Sequence, residues 1–94
     1  MSFSSEAAQT LALQALGWLV ANEDLLPVFL GSTGVGEDDL RSQAGDPTFL
    51  GSVLDFLMMD DAWVVAFCDA HDLAYEHPML ARAALPGGEQ VNWT

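Results

Sequence analysis

The chain has 94 residues, with fourteen Asp and Glu, two arginines (Arg41 and Arg82), no lysine and a formal net charge of −12. Such a charge repels phosphate backbones and anionic headgroups, which excludes nucleic acid and membrane surfaces as expected partners. An apolar content of 51% is that of a folding chain, and the length suits one domain with one core.

Met1 to Ser4 reads as a short lead. Ser4 is an N-cap, with Glu6 in the favourable first turn. Helix one runs to Ala21, with a stripe of Leu11, Ala15, Trp18 and Leu19 broadened by Ala8, Ala12 and Leu16. Trp18 reads as a core anchor rather than a ligand-stacking residue. Asn22 caps helix two, Glu23 to Ser32, which turns Leu25, Leu26, Phe29 and Leu30 to one face and tolerates Pro27 in its first turn. Gly31 and Gly34 end it. Helix three, Glu37 to Ala44, is short, with Leu40 inward and Gly45 as its stop.

Asp46-Pro47 is a strong helix start, since Asp46 can cap and Pro47 needs no N–H at the first position. Phe49, Leu50, Val53, Leu54 and Leu57 then form one face of helix four, widened by Phe56. Thr48, Gly51, Ser52, Asp55 and Met59 are expected on the opposite side. Asp60-Asp61 opens helix five, Ala62 to His71, which is apolar nearly all round and is expected to be the central, most buried helix. A strand there would have no second strand to pair with. Helix six starts at His77-Pro78, with Met79, Leu80, Ala83 and Ala84 as its expected inner face. Leu85-Pro86-Gly87-Gly88 stops it, and Glu89 to Thr94 is a tail.

Candidate sites are few. PVFLGSTGVGEDDLRSQA has the spacing of a helix-turn-helix, but its second helix would present Glu37, Asp38 and Asp39 to phosphates. Cys68, His71 and Asp72 share a helix face, and His77 can approach from the next helix, which would suit a small metal-dependent or thiol enzyme. The set lacks a recognised metal spacing, so no cofactor or metal is expected. Cys68 reads as a small buried hydrophobe and His71 as a helix-end residue. Gly31, Gly34 and Gly36 lack the strand and lysine of a phosphate loop, and Asp55, Asp60 and Asp61 lack a calcium-loop pattern. The apolar excess carries more weight. Met58, Met59, Val65 and Trp93 are hard to bury together in so small a domain, and adjacent methionines make an adaptable contact surface.

EAAQTLALQALGWL, the turn STGVGEDDLR, the core DPTFLGSVLDFLMMDD and the close LARAALPGG resemble a small uncharacterised family of alphaproteobacterial proteins, a domain-of-unknown-function family. The resemblance covers nearly the whole chain except its C-terminal tail. It implies an all-helical, stand-alone, cytoplasmic domain, and it implies no activity and no functional residues.

The expectation is thus an all-α, compact, irregular bundle of five to six short helices in a single domain. A lone cysteine and an N-terminus without positive charge point to the cytoplasm as the expected compartment. The expected function is a non-catalytic, acidic protein-interaction module. It would be homodimeric or contact a protein partner through the Met59–Val65 surface. The enzyme built on Cys68, His71 and His77 is the alternative.

Overall fold

The computed structural model describes residues 3–86. Among them the chain forms six α-helices and no strand. They are α1 (Ser5–Ala21), α2 (Leu26–Thr33), α3 (Leu40–Gln43), α4 (Pro47–Leu57), α5 (Asp61–His71) and α6 (His77–Ala83). A single 3-10 turn, Glu37–Asp39, leads into α3. None of the described helices is long and apolar enough to cross a membrane.

Local chemistry sets the starts. Ser4, Asp46 and Asp60 each turn a side-chain oxygen onto a free N–H of the first turn, at 3.1, 3.0 and 2.8 Å. Pro27, Pro47 and Pro78 all stand at the first or second helical position, where no N–H is spent. Asn22 caps a turn rather than a helix. Its Oδ1 accepts from the Asp24 and Leu25 amides, so α2 begins at Leu26, three residues later than its composition suggests.

The core lies where α1 meets α4, with α6 closing a third side. α1 buries Ala8, Leu11, Ala12, Ala15, Leu16 and Leu19, and its alanines let α4 approach closely. α4 buries Phe49, Leu50, Val53, Leu54, Phe56 and Leu57. α2 contributes Phe29, which is fully buried and meets Phe49 and Phe56 edge-on, at 6.1 and 5.2 Å between ring centroids. Phe56 in turn stacks on Trp63 of α5 at 4.9 Å. Trp18 is half-buried and packs edge-on against Phe67, as a core anchor would.

Three expectations give way. α5 is not the central helix. It buries only Phe67 and Cys68, and its other apolar residues are half-buried or exposed. Its apolar character is spread around the helix on alanines, whereas its large side chains pair only as Trp63 with Phe67 and Val64 with Cys68. A single i, i+4 strip can be covered, and a full circumference cannot. The inner face of α6 is Pro78, Ala81 and the following Leu85, while Met79 is 59% exposed and Ala83 is exposed. Gly51 is buried rather than outward-facing. The Arg82 guanidinium lies across it, so a Cβ at position 51 would stand 2.8 Å from Arg82 Nη1. That crossing also sets the rotation of α6.

Candidate functional site

The residues of the enzyme reading lie in unlike surroundings. Cys68 is fully buried, and its thiol donates weakly to the Ala74 carbonyl oxygen at 3.5 Å. Burial pushes the thiol above its usual ionisation range, and the neighbouring Asp69 carboxylate adds to the shift. A thiol held neutral is a poor nucleophile and a poor ligand. His71 is exposed at the end of α5, its ring 4.8 Å from that of Phe67. His77 opens α6 and meets Phe3 edge-on at 5.3 Å, and its Nδ1 is buried with no partner among the described residues. Among those residues no three His, Cys, Asp or Glu side chains gather closely enough to hold a metal. Asp72, the remaining member, adopts the left-handed conformation (φ 57°) that ends α5 and passes the chain toward Tyr75. The Tyr75 hydroxyl donates to Asp69 at 2.8 Å, and that bond raises its ionisation range.

The expected contact surface is divided. Met58 follows α4 and is half-buried against the core. Met59 beside it is 69% exposed, and Val65 on the outer side of α5 is 39% exposed. Met59 lines a groove of about 320 Å³ with Thr33, Val35, Phe49, Phe56 and Asp55. Val65 does not line it. Trp93 lies outside the described residues. Around the corner between α4 and α5 the exposed acids are Asp55, Asp60 and Asp61. Asp55 is neutralised by Arg82, with Nε to Oδ1 at 2.7 Å, whereas Asp60 and Asp61 have no cation within ion-pair distance among the described residues.

A second, larger groove was not anticipated. It measures about 520 Å³ and runs between α1 and the turn leading through α3. Leu13, Leu16, Gly17 and Val20 form one wall, and Glu37, Leu40, Arg41 and Ala44 the other. Leu13 is 44% and Val20 43% exposed. The signal was present in the sequence. Leu13, Gly17 and Val20 recur at i, i+4 and i+7, opposite the core stripe, on a helix whose one charged residue is Glu6. The inner stripe of α1, with six buried residues, is the stronger pattern and masks it.

The family described as Protein of unknown function (DUF3572) matches residues 5–88, and the chain belongs to that family. No curated protein and no solved structure matches it.

Proposed function

We propose that this family member is a non-catalytic, acidic protein-interaction module that works in the cytoplasm of an alphaproteobacterium. The groove at the end of α4 receives an apolar anchor of a partner, and the surrounding acids select a basic segment. One observation carries the reading. Met59 is 69% exposed at the edge of a groove lined by Phe49 and Phe56, although the core beneath is complete without it. A flexible thioether on an exposed edge adapts to varied anchors. Asp60 and Asp61 lie beside it, and carboxylates without cations raise the on-rate of a lysine- or arginine-bearing partner. The same carboxylates disfavour self-pairing through this corner, because a second copy would bring its own Asp60 and Asp61 against them.

The test is a titration of the full chain with a synthetic helical peptide carrying leucines on one face and lysines on the other, read by methyl NMR with labelled methionine. The Met59 methyl signal moves first, and Met59→Glu weakens binding at least about tenfold without loss of folding. The same peptide with glutamates in place of lysines does not bind. Binding unchanged in both Met59→Glu and Val65→Glu overturns the proposal.

A further inference from the structure

We infer that the groove between α1 and α3 is the seat of a second copy of this chain, related by a two-fold axis that passes by Gly17. The argument starts from charge. The chain carries −12, and a copy of itself can approach only where like charges do not meet. The outer face of α1 is such a place. Ala7, Thr10, Leu13, Gln14, Gly17 and Val20 are all exposed, and none is charged. The face continues for some four turns with Glu6 as the one acid of the helix.

Gly17 is the second part of the argument. It sits in the middle of a long helix, where glycine weakens the helix relative to alanine. The fold does not require it there. Its backbone is ordinary, and a Cβ built on it meets nothing within 4 Å. A missing side chain with open space around it, on an apolar face, lets another backbone come close. Leu13 lies four residues before Gly17 and Val20 three residues after. An antiparallel α1 from a second copy can therefore lay its own Leu13 and Val20 on either side of Gly17. The contact is isologous and closes as a dimer.

The opposite wall supplies the polar part. Glu37 and Arg41 stand one helical turn apart there, yet make no ion pair among the described residues. Arg41 is left for an acid of the two-fold-related copy, which offsets part of the repulsion from the exposed Glu37, Asp38 and Asp39 beside it. This surface is separate from the Met59 groove, and its test does not depend on that reading.

The experiment is sedimentation equilibrium of the full chain over a range of concentrations, with Gly17→Glu and Met59→Glu beside it, and disulfide crosslinking of two cysteine variants. Wild-type protein associates to a dimer. Gly17→Glu places a charge at the crossing point of both copies and shifts the dissociation constant by at least about tenfold. Its thermal midpoint in dilute solution does not fall, because the position is open and glutamate is a better helix former. Gly17→Cys is oxidised to a disulfide-linked dimer faster than Val28→Cys, an exposed control on α2, while native Cys68 stays buried and silent. A wild-type chain that remains monomeric to about 1 mM overturns the inference. So does a dimer that survives Gly17→Glu, or that is lost only in Met59→Glu. Crosslinking of Gly17→Cys no faster than Val28→Cys overturns it as well.

Discussion

Arg82 of α6 grips Asp55 of α4 with two parallel hydrogen bonds, Nε to Oδ1 at 2.7 Å and Nη2 to Oδ2 at 3.1 Å. Its remaining nitrogen, Nη1, donates to the Pro86 carbonyl at 2.9 Å. One of the two arginines in the chain is thus committed to holding the last helix against the core helix. The arginine side chain is 17% exposed and the aspartate 56%, so solvent screens the pair, and its planar geometry matters more than its charge. Arg82→Lys keeps the charge and loses the fork. It is expected to cost about 1 kcal/mol in urea unfolding, and Arg82→Ala about 2 kcal/mol, because the Pro86 carbonyl also loses its donor.

Gly51 and Gly17 predict opposite signs for the same substitution. Gly17→Ala meets open space and is expected to stabilise dilute protein by about 0.5–1 kcal/mol through helix propensity. Gly51→Ala places a methyl 2.8 Å from Arg82 Nη1 and 3.4 Å from the Pro86 carbonyl oxygen. The guanidinium must leave, so the gain in propensity is offset by the loss of the Asp55 pair, and the net change is a loss of up to about 1 kcal/mol. In an Arg82→Ala background the sign reverses and Gly51→Ala stabilises. A double-mutant cycle by urea unfolding checks this coupling.

Phe29 is the buried ring through which α2 reaches the core, edge-on to both Phe49 and Phe56. Phe29→Ala is expected to cost about 3–5 kcal/mol, a large part of the stability of a domain this size. Phe29→Leu keeps most of the volume but loses both edge contacts, and is expected to cost about 1–2 kcal/mol. Thermal unfolding followed by circular dichroism separates the two.

Cys68 makes stability depend on alkaline pH. Its folded thiol ionises above the ordinary value of 9.0, so the folded chain keeps a proton that the unfolded chain gives up. Unfolding then releases protons, and stability that is complete below about pH 9 falls as the pH rises above it. Tyr75 acts in the same direction at higher pH, since the Asp69 hydrogen bond holds its proton. Urea midpoints measured from about pH 8 to pH 11.5 should decline above about pH 9, and Cys68→Ala should flatten the first part of that decline while Tyr75→Phe flattens the part above about pH 10.

The sequence announced where helices begin more clearly than how deeply they lie. Ser4, Asp46, Asp60 and three prolines work through adjacent backbone, so their effect is readable without knowing the neighbours. The inner faces of α1 and α4 were equally plain, because large apolar residues recur there on one side only. α5 misled for a physical reason. Its hydrophobicity is high in sum but rests on Ala62, Ala66 and Ala70, which gain little from burial and can face water cheaply. The rotation of α6 and the burial of Gly51 depend on an arginine reaching across from a helix 27 residues on, and no local pattern encodes that. Met59 was expected outside the α4 stripe and is exposed. That Met59 edges a groove and Val65 does not is a matter of how α2 and α4 meet, which periodicity along one helix does not specify.

α5 is fastened to the rest of the molecule by the buried Phe67 and Cys68 and the half-buried Trp63 and Val64. So small a set of anchors makes it the element that peels off at least cost, in a sub-global opening well below complete unfolding. Amides of Val65 to Asp69 should then exchange with deuterium sooner than those of Leu11 to Leu19. Cys68, shut in while the helix is docked, becomes the clock of that event: the rate at which a disulfide reagent finds it counts how often the helix lifts.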